Sequence, residues 1–352
     1  MKNKLTRKKI LITSFILIII ALLGGFLYLH YQTSKMYQPS SSKRLRNENI
    51  TVARHKPISV LLLGTDTGAL NRTDRGRTDS IIIATVNPQK ESVRFVSLPR
   101  DTRITPVGKT ANQVPVKLNS LYTIGGSEMT INTLQSWLNV PIDFYAVIDM
   151  GGMKKLINDV GGVDVIPPLS FTYDWHTFVK GKRKHLTGAS ALAFSRMRHD
   201  DPKGDYGRQL RQRMVLKALL LKLADNPNLI NMQLINDLPE FVQTNLPFNQ
   251  INDLITSYRV ALNTINSDYM QGRTKELDGQ DFEIISLKER QRITDLIRAD
   301  LSLPADETGH DGSQTDNENE SNTDNSNNDT NTGANTDTNT TNSYQNGNQS
   351  SY

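Results

Sequence analysis

Arginine and aspartate side chains are concentrated between residues 195 and 213, in a pattern suited to binding phosphate. The chain reads Ser-Arg-Met-Arg-His-Asp-Asp-Pro from residue 195 and Gly-Asp-Tyr-Gly-Arg-Gln-Leu-Arg-Gln-Arg from residue 204. A guanidinium presents planar paired donors that match phosphate oxygens, and it stays charged at any physiological pH. Arg208 and Arg211 fall in the first turns of a predicted helix, where the backbone is already partly positive and an anion is favoured. We therefore predict a phosphate site here.

Two aspartates flank the first two predicted strands. Asp66 follows the strand predicted at residues 58–63, and Asp79 precedes the one at residues 81–86. If these strands are adjacent and antiparallel, both carboxylates lie at one end of the sheet. Two carboxylates, phosphate oxygens and water form a minimal ligand set for Mg²⁺, and Mn²⁺ is a possible substitute. Asp beside Gly and Thr is also a common turn or capping residue, so a structural role stays open.

Apolar periodicity predicts an α/β domain that positions these residues. Strands are predicted at residues 58–63, 81–86, 93–98, 144–148, 163–166 and 282–285. Helices are predicted at residues 129–138, 153–160, 187–194, 205–224, 229–242 and 251–262, with Asp205 as a plausible N-cap of the longest. Strands that alternate with helices indicate a central sheet covered on both faces.

An apolar run near the N-terminus predicts a transmembrane anchor helix at residues 10–30. Residues 10–29 carry no charge and follow several lysines. Roughly twenty helical residues span about 30 Å, the thickness of a bilayer core. Flanking positive charge keeps residues 1–9 in the cytoplasm, so the domain is predicted to be extracytoplasmic. A cleaved signal peptide is the competing interpretation, but this apolar run is longer than the usual segment of about 7–15 residues.

Composition divides the remaining chain and excludes several classes of function. Residues 31–56 form a basic linker, either solvated or touching an anionic surface. Residues 57–305 are long enough for one large α/β domain, and residues 306–352 are a predicted disordered tail rich in Asn, Thr, Ser and Asp. The absence of cysteine excludes disulfides and thiol catalysis. It is ordinary for an exported protein of a Gram-positive bacterium. The net charge of +5 does not indicate nucleic acid, because an extracytoplasmic domain meets no genome.

An ordered series of short motifs resembles the LytR-CpsA-Psr family. The series covers roughly residues 57–225 and follows the single predicted anchor, as in the family. Each motif alone is weak, but the ordered set is specific. The motifs are Val60-Leu61-Leu62-Leu63-Gly64-Thr65-Asp66, Arg77-Thr78-Asp79-Ser80, Ser97-Leu98-Pro99-Arg100-Asp101-Thr102, Lys117-Leu118-Asn119, Gly161-Gly162-Val163, Arg196-Met197-Arg198 and Asp205-Tyr206-Gly207-Arg208.

The resemblance implies a fold, a location and a reaction. It implies a three-layer α/β/α sandwich with a central mixed sheet, in a single-pass protein of the cell membrane. It also implies that a polyprenyl chain lies between the sheet and the helices, with a pyrophosphate at the mouth. Members transfer wall teichoic acid or capsule-like polysaccharide from an undecaprenyl-pyrophosphate carrier to N-acetylmuramic acid of peptidoglycan, forming a phosphodiester. The alternatives are a non-catalytic binder of polyprenyl-linked wall polymers, pyrophosphate hydrolysis at the same site, and a membrane-bound transcriptional attenuator.

The resemblance also implies roles for individual residues. Asp66 and Asp79 would hold Mg²⁺, and Asp205 would orient or deprotonate the attacking hydroxyl. Arg100, Arg196 and Arg208 would act in catalysis as well as in binding. The pyrophosphate ligands implied are Arg77, Arg100, Arg196, Arg198 and Arg208, with Arg211 and Gln212 as additional contacts. Apart from the resemblance, Trp175 in the loop 171–184 is a candidate either for stacking on a sugar or for closing the edge of the core.

Overall fold

A computed structural model of the chain describes residues 31, 35–40, 42, 45–46, 50, 52, 55–66, 76–108, 111 and 114–310. All of them belong to the first of the two units, Met1–Gln314 and Thr315–Tyr352, into which the chain divides. The membrane span predicted at residues 10–30 and the predicted tail after residue 310 lie outside the described residues. Within the described part, no helix is long and apolar enough to cross a membrane.

A six-stranded mixed sheet forms the centre of the domain. The strands are β1 (Ile58–Thr65), β2 (Thr78–Asn87), β3 (Ser92–Ser97), β4 (Phe144–Asp149), β5 (Val242–Thr244) and β6 (Thr264–Tyr269). They pair in the order β5-β4-β1-β2-β3-β6. The β1–β2, β2–β3 and β4–β5 pairs are antiparallel, whereas β1–β4 and β3–β6 are parallel. The predicted α/β class with a mixed central sheet is confirmed.

Helices and four short hairpins surround this sheet. The helices are α1 (Leu121–Leu138), α2 (Met150–Asp159), α3 (Gly188–Arg196), α4 (Gly204–Asp225), α5 (Met232–Asp237), α6 (Phe248–Ser257) and α7 (Leu287–Asp300). Short 3₁₀ turns lie at Leu118–Ser120, Pro227–Leu229, Leu238–Glu240 and Arg259–Asn263. The hairpins pair Arg103–Ile104 with Val116–Lys117, Val163–Val165 with Lys184–Leu186, Phe171–Tyr173 with His176–Phe178, and Arg273–Leu277 with Gln280–Ile284.

Alternating strand residues build a separate core on each face of the sheet. Leu61 of β1 packs with Leu134 of α1 and Ile297 of α7 on one face. Ile82 of β2 packs with Leu216 of α4 on the other. Successive strand side chains point to opposite faces, so a continuous apolar run in β1 and β2 requires helices on both sides.

Sequence periodicity located most of the central elements but missed others, among them strand β5, which begins at the last residue of the helix predicted at residues 229–242. Helix α1 begins at Leu121, eight residues before the predicted start. Its first part was not predicted because Gly126, with a non-helical φ of 68°, interrupts the helical pattern. Only Met232–Asp237 is α-helical in the segment predicted as a helix at residues 229–242, since Pro239 lacks the N–H needed to extend it. Strand β6 and helix α7 were not predicted because both carry many polar residues, β6 at a sheet edge and α7 on its solvent side.

Both flanks of the predicted domain contribute to its packing. Met36, Ile50 and Val52, from the predicted linker, are buried. Tyr37 forms a β-bridge with Thr244 of β5, so this part of the linker extends the edge of the sheet. At the other end Thr308 is buried against α7. Buried residues therefore occur on both sides of the boundaries, 57 and 305, predicted from composition.

Candidate active site

The pairing of β1 with β2 brings Asp66 and Asp79 to one end of the sheet. Gly64 lies opposite Ser80 in the antiparallel register, with a bulge before Thr65. A side chain at Gly64 would place its Cβ only 3.0 Å from that of Ser80, so glycine permits the close approach. Asp66 and Asp79 both line the same two polar cavities. The strand arrangement on which the sequence argument depended is confirmed.

Arg100 lies among three carboxylates. Its Nη1 donates a hydrogen bond to Asp79 Oδ1 at 2.6 Å. Its Nε lies 3.5 Å from Asp101 Oδ2 and 3.8 Å from Asp205 Oδ1. Burial alone would lower the pKa of Arg100, but the charge and hydrogen bond of Asp79, followed by Asp205 and Asp101, raise it above its usual value. The guanidinium is thus a fixed cation.

Arg208, in the first turns of α4, faces the same carboxylates. Its Nη2 lies 2.6 Å from Asp205 Oδ1 and donates to the main-chain carbonyl of Asp79 at 3.2 Å. The side chain is only 7% exposed. Burial lowers the pKa of Arg208, Asp205 opposes this shift, and the nearby charge of Arg100 adds to it. Arg100 and Arg208 therefore form a crowded cationic pair that an anionic ligand would stabilise.

The sequence suggested Asp205 as the N-cap of α4, but the structure places it inside the helix. The helix begins at Gly204, its N-cap is Lys203, and no side chain caps it. Asp205 therefore lies within the first turn, where its carboxylate pairs with Arg208 and accepts a hydrogen bond from Gln209 Nε2 at 2.9 Å. Negative charge is favoured there by the helix dipole.

Arg211, expected as a pyrophosphate contact, points away from the cavities. Its side chain is 0% exposed and forms an ion pair with Asp201. It also donates to the carbonyl oxygens of Phe194, at 2.9 Å, and Met197. Arg211 lies on the buried side of α4 and is not among the residues that line the two polar cavities. Its contacts fasten the loop after α3 to α4.

The other expected ligands gather around two polar cavities. The first polar cavity, of about 250 Å³, is lined by Asp66, Asp79, Arg100, Met150, Tyr173, Ser195, Arg196, Arg198, Arg208 and Gln212. The second polar cavity, of about 640 Å³, is lined by Asp66, Gly76, Arg77, Asp79, Arg100, Asp101, Lys117, Asn119, Thr123, Arg198 and Asp281. Arg77, Arg196 and Arg198 are exposed, so their guanidinium groups are open to a ligand.

An apolar cavity of about 240 Å³ adjoins the first polar cavity. It lies between the sheet and helices α2, α3 and α4, and sequence reasoning did not identify its walls. The two cavities share Asp79, Met150, Ser195, Arg196 and Gln212. Its other side chains include Leu62, Ile82, Ala146, Ile148, Met153, Leu156, Val215, Leu216 and Leu219. The apolar stripes on α2 and α4 were visible in the sequence, but such stripes normally fill a core and do not reveal a gap.

The carboxylates of Asp66 and Asp79 are suited to a divalent cation that is also bound by a phosphate ligand. Within the residues that the structure describes, no group of three or more His, Asp or Glu side chains could hold a metal ion alone. Asp66 and Asp79 supply hard oxygen donors beside cationic guanidinium groups, which is a setting for a phosphate-bound Mg²⁺. Phosphate oxygens and water would complete the coordination.

Known proteins resemble this chain in sequence and in fold. The LytR_cpsA_psr family matches residues 24–298. A relative from Enterococcus faecalis (strain ATCC 700802 / V583), named polyisoprenyl-teichoic acid--peptidoglycan teichoic acid transferase TagU, is 34% identical over 290 residues, which cover 82% of this chain and 94% of that protein. A protein of the same name from Bacillus mycoides (strain KBAB4) is 36% identical over 308 residues, covering 84% and 99%.

A solved structure has a similar fold. The crystal structure of an Enterococcus faecalis protein described as a transcriptional regulator matches this fold with a TM-score of 0.64 and 33% identity, covering 73% of this chain and 92% of that one. The family match spans most of the chain, and two relatives exceed 30% identity over nearly their whole length. The chain therefore belongs to the LytR-CpsA-Psr family.

Proposed function

We propose that this protein transfers an anionic, teichoic acid-like glycopolymer from a polyprenyl-pyrophosphate carrier to peptidoglycan. The observation that carries the proposal is the direct junction of the apolar cavity with the first polar cavity at Asp79, Arg196 and Gln212. A polyprenyl pyrophosphate has the same division, an apolar chain joined to a charged head. Burial of each CH₂ group of the chain contributes about 0.8 kcal/mol. The names of the two relatives support the polymer and the acceptor.

The order of the cavities suggests the direction of the reaction. The second polar cavity shares Asp66, Asp79, Arg100 and Arg198 with the first, but only Asp79 with the apolar cavity. In-line displacement requires the attacking and leaving oxygens on opposite sides of the phosphorus. The lipid phosphate would leave on the apolar side, and the acceptor hydroxyl would enter from the second polar cavity.

The residues supply electrostatic stabilisation and proton transfer. The acceptor oxygen forms a bond to the sugar-linked phosphorus, the bond from that phosphorus to the bridging oxygen breaks, and lipid monophosphate departs. Arg100 and Arg208, already fixed by Asp79 and Asp205, would neutralise the charge that develops on the phosphate oxygens. Arg196 and Arg198 would hold the outer oxygens, with Arg77 reaching them from the second polar cavity. Our candidate to orient the hydroxyl or take its proton is Asp205, which lines none of the three cavities but lies 3.8 Å from Arg100 Nε and pairs with Arg208.

A divalent cation would act with these residues. Asp66 and Asp79 would hold Mg²⁺ or Mn²⁺, which when bound supplies further neutralisation of pyrophosphate charge. The proposal also places the domain outside the cell on the predicted anchor at residues 10–30, because the lipid carrier lies in the membrane and peptidoglycan lies beyond it. Neither nucleic acid nor a nucleotide donor has a part in this scheme.

The test is a transfer assay with the full-length chain in nanodiscs. Radiolabelled polyprenyl-pyrophosphate-linked glycan, peptidoglycan oligomers and Mg²⁺ are supplied to the parent protein, to Arg208→Ala and to Arg292→Ala. Arg292 is the matched control, because it pairs with Asp268 and Glu289 and lines none of the three cavities. We expect label on peptidoglycan with the parent and the control but not with Arg208→Ala. Tight lipid binding without transfer would indicate a binder, and release of free labelled glycan would indicate a hydrolase.

A further inference from the structure

Trp175 stands at the tip of a short hairpin with almost its whole side chain in solvent. It is 97% exposed, and strands Phe171–Tyr173 and His176–Phe178 flank its turn. Both residues of the two-residue turn have positive φ, 47° for Asp174 and 63° for Trp175. Turns of this kind favour Asn-Gly, because a side chain at positive φ meets its own backbone. A tryptophan at this position is not buried, and the turn does not favour it. Its presence therefore points to a role other than folding.

The hairpin is held firmly against the active site. The rings of Phe171 and Phe178 stack with centroids 4.6 Å apart, and Phe178 packs on Phe194 of α3 at 5.2 Å. Arg211 lies over the Phe171 ring, 5.3 Å from its centroid. Tyr173, two residues before Trp175, lines the first polar cavity. The exposed indole is therefore carried by a scaffold that also fixes the arginine cluster.

The surroundings of Trp175 suit a sugar ring. The indole offers a flat apolar face, and neighbouring polar groups are available for hydroxyls. Asp174 adjoins it, and the exposed Thr172 and Thr177 hydroxyls lie 3.1 Å apart across the hairpin. A pyranose has an apolar C–H face and a rim of hydroxyls, which such a site complements. The exposed Lys180, Lys182 and Arg183 follow in the same loop, so an anionic membrane surface is the competing occupant, but the residue that shares the turn with the indole is the acidic Asp174.

We propose that Trp175 is a saccharide-stacking subsite for the donor glycan, binding sugar residues next to the pyrophosphate. This inference rests on the proposed function, because it assumes that the phosphate group occupies the first polar cavity beside Tyr173. The donor is favoured over peptidoglycan as the source of the sugar, because the acceptor would enter through the second polar cavity, and Tyr173 does not line that cavity.

Fluorescence gives a direct test, since the chain has only two tryptophans. Trp137 is 3% exposed and should resist acrylamide, whereas Trp175 should be quenched freely. The full-length chain is placed in zwitterionic nanodiscs that hold either lipid-linked glycan or the same polyprenyl pyrophosphate without sugar. We expect the lipid-linked glycan, and not the sugar-free lipid, to protect Trp175 from quenching. The Trp175→Phe variant measures how much of the fluorescence comes from Trp137. Equal protection by the sugar-free lipid would overturn the proposal.

Two further arms identify other occupants. Protection only by soluble peptidoglycan oligomers would assign the indole to the acceptor, and protection only in nanodiscs containing anionic lipid would assign it to the membrane. Either result contradicts a donor subsite while leaving the transfer reaction untouched. Conversely, glycan-dependent protection without any transfer would support the subsite and overturn the proposed function.

Kinetics and stability separate binding from folding. Trp175→Ala should raise the KM for donor about 2- to 10-fold with little change in kcat, the effect of lost aromatic contact made equally in ground and transition states. Replacing Asp174-Trp175 with Asn-Gly should raise Tm by about 2–4 °C, because glycine relieves the positive φ. The same variant should show the raised KM. An unchanged KM in both variants, or a lower Tm in the second, would show that the tryptophan serves folding.

Discussion

Arg100 donates a hydrogen bond to the carboxylate of Asp79 at 2.6 Å, at the point where the three cavities meet. Asp79 is the residue that lines all three. Because the guanidinium is already held by this contact, it needs no rearrangement when a phosphate arrives. Preorganised charge of this kind stabilises developing negative charge more effectively than a mobile side chain does.

Removal of Arg100 should therefore affect the reaction more than the fold. Loss of one preorganised donor to a transition-state oxygen costs about 2.7–4 kcal/mol, or roughly 10²–10³ in rate. We expect this loss in kcat for Arg100→Ala, and a smaller one for Arg100→Lys, which keeps the charge without the paired donors. Initial rates of transfer at saturating donor provide the measurement. A wild-type kcat for Arg100→Ala would remove Arg100 from the proposed mechanism.

Transfer should depend on a divalent metal ion, and substitution of either Asp66 or Asp79 should change that dependence. We expect chelation of divalent cations to abolish transfer and added Mg²⁺ or Mn²⁺ to restore it. Asp66→Asn and Asp79→Asn should each raise the Mg²⁺ concentration needed for half-maximal activity, since an amide is a weaker ligand than a carboxylate. If these aspartates only shape the turn, the variants would change Tm without changing the metal titration. Full activity after chelation would contradict a metal role.

The sequence predicted the site better where strand ends determine position than where helix orientation does. Asp66 and Asp79 were placed correctly at one end of the sheet because short apolar strands leave little freedom at their ends. Arg211 was misplaced because its three-residue spacing from Arg208 is compatible with both the ligand side and the buried side of α4. Asp281 and Lys117 reach the second polar cavity from hairpins whose packing depends on contacts distant in sequence. Periodicity carries no information on such contacts.

The buried pair of Arg211 with Asp201 should matter for stability. Removing one partner leaves an uncompensated buried charge, which destabilises by about 3–5 kcal/mol. We expect this decrease in the free energy of unfolding for Asp201→Ala, measured by urea denaturation. Gly207→Ala should act similarly, because its Cβ would lie only 1.9 Å from Asp201 Oδ2. The matched exposed pair is Arg183 with Asp164, whose loss should change stability by about 0–1 kcal/mol. Equal effects at the two pairs would contradict this role of Arg211.

Two truncations distinguish the end of the domain from the tail. Thr308 Oγ1 lies 2.9 Å from Thr294 Oγ1, and its backbone N–H donates to Gln291 at 2.7 Å. Deletion after Ala305 removes these buried contacts and should lower the free energy of unfolding by about 1–3 kcal/mol. Deletion after His310 should leave both stability and transfer unchanged. Identical unfolding curves for the two truncations would show that residues 306–310 contribute nothing to the fold.

Tyr206 should make stability sensitive to alkaline pH. Its hydroxyl donates to Glu283 and accepts from the N–H of Gly272 at 2.9 Å, which ties the Arg273–Ile284 hairpin to α4. Burial, followed by the hydrogen bond to Glu283, raises the pKa of Tyr206 well above its usual value. The folded state therefore favours the neutral phenol, and this contribution is complete below a pH of about 10, where an unfolded tyrosine ionises.

As pH rises above about 10, the unfolded chain gains by ionising Tyr206 while the folded protein does not, so the contribution is lost. We expect Tyr206→Phe to be less stable than the parent by about 1.5–3 kcal/mol at pH 8, the value of a hydrogen bond to a charged acceptor. The difference should shrink progressively in urea titrations between about pH 10 and 11.5. The comparison cancels other titrating groups, since both proteins contain them. A constant difference across this range would show that Tyr206 does not remain neutral in the folded state.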